Sequence, residues 1–320
     1  MAAYILSIDD KREREYMRQL VEKVKRLTYK RNFFIFVCIV PTFVLFSVFV
    51  LYPMFSSFAM SFTDWSGIGK NYKFIGLQNY EKLFRDRIVK QALLNNIILL
   101  VFVPVVTILL SLLFAFLLSG KKLREKKVYR VLFFFPNVIA ISITSILWSF
   151  IYHPSVGIIN GFLKWIGAES LIHTWLGESA TVVFSIGITM IWQAVGYYMI
   201  LFIAAMEGIP NELYEVANIE GASSFQKFSK ITMPLIRNVL DVAIIFNIIA
   251  VFNGSFTYTR IMTGGGPDNK SNVLSLYMYQ QAFENGNFGY AMAVGVIILI
   301  ITLVLSGINN RLSAKDDITY

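Results

Sequence analysis

Six long apolar stretches, at about 33–56, 94–118, 131–151, 181–206, 235–253 and 288–308, alternate with polar segments along the chain. Each approaches the roughly 20 residues that a helix needs to cross the hydrocarbon of a bilayer. Backbone groups in lipid must find partners inside the chain, so the stretches are read as helices. None alternates apolar and polar residues as the strands of a membrane barrel do. The pattern predicts an all-α, polytopic membrane protein with six transmembrane helices. The fifth stretch is the weakest, because Asp241, Asn247 and Asn253 interrupt it. Pro41, Pro53, Pro104 and Pro136 lie within or at the edges of stretches. They fit kinked helices around a cavity and fit plain packing equally well.

Composition agrees. Of 320 residues, 56% are apolar and only 15% charged, against about 45–50% apolar for a soluble chain. The net charge of +9 falls beside apolar runs, which points to a positive-inside topology rather than to nucleic acid. With the N-terminus inside, the inner segments are 1–32, 119–130, 207–234 and the tail. The block Lys121, Lys122, Arg124, Lys126, Lys127 and Arg130 is the clearest inside marker. The outer loops 152–180 and 254–287 hold only Lys164, Arg260 and Lys270. Loop 63–93 disagrees, with six basic residues, and its Tyr80, Leu83, Phe84 and Ile88 read as a short amphipathic helix at the outer interface. Both termini are therefore expected in the cytoplasm. Residues 1–32 form an N-terminal amphipathic segment, with Tyr16, Leu20, Val24 and Leu27 in one stripe that suits either membrane lipid or a partner helix. Residues 33–310 form the membrane domain and 311–320 a cytoplasmic tail. The first stretch follows a basic segment without a small-residue cleavage site, so it reads as an uncleaved span.

Several chemistries have no residues to carry them. The single cysteine, Cys38, lies in an apolar run, which excludes an intramolecular disulfide and suggests packing. The two histidines, His153 and His173, share an outer loop. No nucleophile–base pair lies near a span, so catalytic and metal sites are expected to be absent. Ion-coupled carriers use carboxylates or histidines in mid-span, and these spans have none there. Asp241 follows Arg237 by four residues, the spacing of a helical ion pair. The run Gly264–Ser271 superficially resembles a phosphate-binding loop, but Asn269 replaces the glycine required before Lys270 and no βα unit surrounds it.

Segment 207–234 is polar between two apolar stretches. Pro210 and Asn211 open a helix carrying Glu212, Glu215 and Glu220, acids that favour a helix N-terminal half. Gly221 breaks it, as glycine does where φ changes sign or another backbone comes close. A second short helix, 222–232, carries Phe225 and Phe228, and Pro234 opens the fifth span. The expected shape is a stiff elbow with exposed aromatics.

Glu215-Val-Ala217, Gly221 and Ile231-Thr-Met-Pro234 at this spacing resemble the EAA loop of binding-protein-dependent ABC importer permeases. Val216 and Met233 depart from the usual alanine and leucine, both apolar exchanges. Phe74-Ile-Gly-Leu-Gln-Asn-Tyr80, Tyr129-Arg130, Phe135-Pro136, Thr263-Gly-Gly-Gly-Pro267 and Tyr279-Gln-Gln-Ala-Phe283 resemble the carbohydrate branch, as in maltose, glycerol-phosphate and lactose importers, of the larger-partner type. The resemblance implies a type I importer permease fold and a non-enzymatic transport subunit in a bacterial or archaeal cell membrane. It implies a second permease subunit in a heterodimer, two ATPase subunits and an extracytoplasmic solute-binding protein. ATP and Mg would sit on the ATPase subunits, with no cofactor on this chain. Glu212, Glu215, Ala217, Gly221, Ala222, Phe225, Ile231 and Pro234 would couple to the ATPase. Closure of that ATPase would drive alternating access.

The resemblance also implies a solute cavity near mid-membrane. Asn137, Trp192, Gln193, Tyr197, Asn247, Asn253 and Ser255 are the polar or aromatic candidates, and Asn137, Gln193, Val251 and Ser255 match the branch's binding positions. Interhelical hydrogen bonding would use the same residues. Asn95 and Asn96 are read as structural, and loop 261–272 as a binding-protein contact or a solvated turn. The implied solute is a carbohydrate, with an oligosaccharide ahead of a polyol or sugar phosphate. A non-transporting scaffold that uses segment 207–234 for docking is the reading from another class.

Overall fold

The computed structural model describes residue 15 and residues 33–69, 71–119 and 125–313. The amphipathic segment 1–32, Lys121, Lys122 and Arg124 of the basic block, and residues 314–320 of the tail lie outside this set, apart from Glu15. The chain divides into two units, Met1–Ala59 and Met60–Tyr320. The first contains helix α1 (Phe33–Met60), whose apolar window has no buried residue. A helix apolar on every side belongs in lipid. Its turn Ser47–Leu51 widens to a π-helix, where the ring of Pro53 would otherwise press on the carbonyl four residues back. Cys38 is exposed on this helix, which corrects the packing role expected of it.

The second unit holds α2 (Gln78–Arg85), α3 (Arg87–Ser119), α4 (Lys126–Val138), α5 (Ile141–Ile151) and α6 (Ile158–Trp165). There follow α7 (Val182–Glu207), α8 (Asn211–Ile219), α9 (Ser224–Lys227), α10 (Arg237–Met262), α11 (Leu274–Tyr279) and α12 (Phe288–Ser313). Among the described residues no strand forms, and Thr63 and Phe74 make an isolated bridge. The helices α1, α3, α7 and α10 are each long and apolar enough to cross a membrane. The apolar part of α12, Phe288–Val304, is shorter.

The core lies between α3 and α7, which pack along their lengths. Leu99 and Val103 meet Ile186 and Met190 in one cluster, and Ile108 and Leu112 meet Met199 and Phe202 in another. Ser111 Oγ donates to the Val195 carbonyl at 2.9 Å. A hydroxyl placed against a neighbouring backbone in this way pins the pair without leaving a polar atom in hydrocarbon.

Two spans differ from expectation. The stretch 131–151 is not one helix: α4 and α5 meet at 100°. Pro136 occupies the last turn of α4, and Ile139 at φ −74°, ψ 135° and Ala140 at φ −59°, ψ 139° are extended. Apolar content measures affinity for lipid and is blind to such a bend. The fifth helix begins after Ile236 and continues to Met262, past the expected end at 253. Asn247 is buried in protein and so does not end the helix as it would in lipid. Pro234 accordingly sits in a short piece, Met233–Leu235, ahead of α10. Arg260 lies on α10 rather than in a loop, 3.8 Å from the centre of the Tyr279 ring. Arg237 and Asp241 do pair, at 3.9 Å.

Asp86 joins α2 to the remainder of its unit. Its Oδ1 accepts the Ile88 N–H at 2.8 Å and caps α3, and its Oδ2 accepts the hydroxyls of Tyr277 at 2.5 Å and Tyr290 at 2.7 Å. Burial raises the pKa of this carboxyl, but the two phenols and the Ile88 and Val89 amides outweigh it and hold the pKa below the usual value. Lys82 lies over the Tyr290 ring at 4.4 Å, so part of the excess positive charge in 63–93 serves packing. The α2 helix forms as expected with Leu83 buried, although Phe84 is 66% exposed and leaves the stripe.

Asp86→Ala is expected to destabilise the fold by about 2 kcal/mol, because it strips a cap and an acceptor from buried hydroxyls. Asp86→Asn should cost less. A lowered native pKa means this stabilisation is complete above the ordinary carboxylate range and is lost as pH falls through the still lower folded value. Thermal unfolding in detergent should therefore show an acid-side loss that Asp86→Ala removes, with no Asp86-dependent change between about pH 5 and 8.

Candidate functional site

A cavity of about 400 Å³ opens at the break between α4 and α5. The break supplies Asn137, Val138, Ile139, Ala140 and Ile141 to its wall. Helix α7 presents Met190, Gln193, Ala194 and Tyr198, a stripe at helical spacing, and α10 presents Asn247, Ala250, Val251, Gly254 and Tyr258, another. Val103 of α3 completes the lining.

Glycine lets these walls meet. A Cβ at Gly196 would lie 1.7 Å from the Phe133 carbonyl oxygen, so α4 rests on α7 backbone to backbone. Near the start of α4, Arg130 pairs with Glu207 at the end of α7. At its other end, Gln193 Nε2 donates to the Ile139 carbonyl at 2.6 Å. That carbonyl follows the last turn of α4. Gln193 Oε1 accepts the Tyr258 hydroxyl of α10. Gln193 is 6% and Asn247 1% exposed, and the Asn247 Nδ2 has no hydrogen-bond partner among the described residues.

The structure brings together four of the eight expected solute residues: Asn137, Gln193, Asn247 and Val251. The other four lie elsewhere. Trp192 stacks edge-on against Trp148 of α5 at 5.5 Å. Tyr197 is exposed and meets the ring of Tyr198. Asn253 is exposed, and Ser255 is buried with its hydroxyl on the Phe252 carbonyl at 2.8 Å. A search for polar residues does not reach Tyr198, Tyr258, Met190 or Gly254. The available signal is the stripe of small and aromatic residues in register with Gln193 and Asn247.

Segment 207–234 forms an elbow. Glu212 is in the first turn of α8. At the other end the Gly221 N–H reaches the Asn218 carbonyl at 3.1 Å and the Ala222 N–H the Ala217 carbonyl at 2.9 Å, the paired bonds of a Schellman motif. Gly221 has φ +74° and open space around its Cβ position, so its backbone conformation, and not a close approach, demands glycine. Ser223 and Gln226 form a reciprocal capping box that starts α9. Lys227 Nζ donates to Asn218 Oδ1 at 2.6 Å, and Tyr214 and Thr232 share a hydroxyl bond of 2.9 Å, so both arms are braced. After Lys227 the second arm continues as a π-turn, Phe228–Thr232, with Ile231 half-buried. Leu213, Val216, Ile219 and Phe225 are exposed, Ile219 to 87%. Glu215 and Pro234 are exposed, and Ala217 and Ala222 half-buried. Phe228 is not exposed as expected, since its ring packs against Phe116 of α3 at 4.8 Å and seats the elbow on the bundle.

Loop 261–272 is an ordered, internally bonded structure rather than a plain solvated turn. Ser271 and Asn272 are buried, and Asn95 Nδ2 donates to the Lys270 and Asn272 carbonyls at 2.7 and 2.8 Å. Asn96 Oδ1 accepts the Leu274 N–H at 2.9 Å. Both asparagines are structural, as read from sequence.

The chain is similar in sequence and fold to known proteins. The family described as "Binding-protein-dependent transport system inner membrane component" matches residues 74–315. A probable ABC transporter permease, YurN, of Bacillus subtilis is 38% identical, over 84% of this chain and 91% of its own. The diacetylchitobiose uptake system permease NgcF of Streptomyces coelicolor is 36% identical, over 89% and 83%. The lactose transport system permease LacF of Rhizobium radiobacter is 32% identical, over 87% and 92%. A chain from the crystal structure of a bacterial ABC transporter that imports the acidic polysaccharide alginate shares the fold, with TM-score 0.78 and 23% identity over 91% of this chain and 99% of that one.

Two glycines of the cavity wall should respond differently to the same change. Gly196→Ala should cost about 3 kcal/mol or prevent folding, because rigid backbone blocks the methyl. Gly254→Ala should leave thermal stability in detergent within about 1 kcal/mol of the parent, its nearest neighbours being side-chain atoms at 3.4–3.8 Å.

Proposed function

We propose that this chain, which belongs to the family of binding-protein-dependent transport system inner membrane components, imports a neutral carbohydrate, with an oligosaccharide preferred over a polyol or sugar phosphate. The chain is a multi-pass membrane permease, and its family supplies the passage rather than a catalyst. The observation that carries the substrate reading is the cavity wall. Asn137, Gln193, Tyr198, Asn247 and Tyr258 set amides and hydroxyls among apolar surfaces, and among the described residues no Lys, Arg, His, Asp or Glu lines it. Amides and phenols match sugar hydroxyls, while Met190, Val251 and Ile141 suit the less polar faces of sugar rings. A phosphate or uronate would lose its hydration there without gaining a counter-charge. Relatives named for diacetylchitobiose and lactose uptake support the same class.

In the proposed assembly six spans run from a cytoplasmic N-terminus to a cytoplasmic C-terminus. A second permease chain completes the cavity, and an extracytoplasmic binding protein delivers the solute. Two ATPase subunits, carrying ATP and Mg, dock on the elbow. Leu213, Val216, Ile219 and Phe225 form an exposed apolar patch on an otherwise polar segment, the surface expected of a docking site. Glu215 and Gly221 keep the coupling roles expected of them, with Gly221 fixing the corner. Closure of the ATPase pair would move the elbows together and exchange inward for outward access by rotation of packed bundles.

Two measurements on the transporter reconstituted with its partners test this reading. Neutral oligosaccharides presented with the binding protein should raise ATP hydrolysis and drive uptake, and sugar phosphates should do neither. No flux for any sugar, with every partner present, would favour the scaffold. Gly221→Trp should insert normally in the membrane but lose ATPase association and uptake; normal uptake would contradict the docking role.

A further inference from the structure

We propose that Gln193 is a positioning residue that clasps α10 to the broken third span, so that opening of the cavity requires the Tyr258–Gln193 bond to part. This rests on the transport reading only in what the opening is for. One amide holds three walls: its own helix α7, the break through the Ile139 carbonyl at 2.6 Å, and α10 through the Tyr258 hydroxyl. All of these groups line one cavity. The two bonds differ in kind. The Ile139 carbonyl lies in the extended break after α4, and its bond comes from the buried Gln193 amide. Helix α4 is also fixed to α7 by the backbone contact at Gly196 and by the Arg130–Glu207 pair. The break therefore moves with α7.

Helix α10 packs on α3, α5 and α7 through side chains, without a glycine contact like that at Gly196 among the described residues. A Cβ at Gly254, one turn before Tyr258, would lie in ordinary contact with the Met190 methyl at 3.8 Å, so backbone does not touch backbone there. The phenol bond is a neutral pair and is the weaker tie. Tyr258 is 4% exposed, so parting it from Gln193 uncovers a hydroxyl that needs a new partner. A sugar hydroxyl or water admitted to the cavity supplies one. An amide carries two donors and two lone pairs, so Gln193 can hold the break while it releases α10.

The test uses the full transporter with Cys38→Ser and Val251→Cys, which places a thiol at a buried position of the cavity wall. Tyr258→Phe deletes one oxygen and keeps the ring. It should raise maleimide labelling at position 251 and solute-independent ATP hydrolysis by about fivefold each, the worth of one neutral hydrogen bond. Gln193→Met removes the Ile139 bond as well and should raise both at least as far, and Tyr258→Phe should add nothing in that background, since the shared bond is already gone. Unchanged labelling in Tyr258→Phe, or multiplied effects in the double variant, would overturn the clasp. If Tyr258→Phe does not assemble, Tyr258→Met, which lacks the hydroxyl and keeps the Gln193–Ile139 bond, decides by the same labelling. Should the parent transporter show no sugar-stimulated hydrolysis while Tyr258→Phe still labels faster, the clasp stands and the transport reading fails.

Discussion

A backbone carbonyl released inside an apolar slab needs a donor, and in this chain the site is arranged around the one that meets the need. Ending α4 at Val138 frees the Ile139 carbonyl, and the Gln193 side chain reaches it from α7. The bend at that point makes room between helices that would otherwise pack shut. Gly196 permits the close approach that brings α4 onto α7, and from this contact the position of the break, the orientation of Gln193 and the contribution of Tyr258 follow. An unpaired carbonyl in hydrocarbon costs several kcal/mol, more than the packing on either side of the bend could recover by itself. The amide is thus a condition of the cavity as well as part of its wall.

The elbow at 207–234 obeys a different physics. It is polar and solvent-facing, so each of its bonds contributes modestly, about 1 kcal/mol or less. Stiffness comes from their number and placement. A Schellman motif ends one arm, a capping box starts the next, and the Lys227–Asn218 and Tyr214–Thr232 bonds cross between them. Phe228 against Phe116 anchors this unit to α3, while Arg130–Glu207 links the neighbouring end of α7 to α4. A push on the elbow therefore reaches both partners of the central helix pair. Its exposed apolar side chains remain available to whatever delivers the push.

Sequence pattern conveys the continuous helices well, because α3 and α7 are apolar over more than the span length, and α3 runs on through Pro104. It conveys the elbow well too, since Gly221 and the capping residues act through local backbone geometry that a short sequence encodes. The broken span is harder. Pro136 is visible, but the extended residues are Ile139 and Ala140, three and four positions later, and both are good apolar residues for an unbroken helix. The cavity is legible only in part for a related reason. Asn137, Gln193 and Asn247 are conspicuous as polar residues among apolar ones, whereas Trp192 and Asn253 share that prominence and face elsewhere. Which side of a helix meets the cavity is decided by tertiary contacts such as Phe133 on Gly196, and these are long-range. Tyr258 lies beyond the expected end of the fifth span, so the partner of Gln193 goes unseen until the helix is seen to run to Met262.

The proposed coupling requires the elbow to lie in the cytoplasm and to meet the ATPase subunits. Ile219→Cys in a Cys38→Ser background puts a reactive thiol at the most exposed point of the patch. Labelling with a membrane-impermeant maleimide, in intact cells, in permeabilised cells and in membranes with added ATPase subunits, reads this directly. The predicted result is no reaction in intact cells, rapid reaction after permeabilisation and protection by the ATPase. Labelling of intact cells, or no protection by bound ATPase, would contradict it.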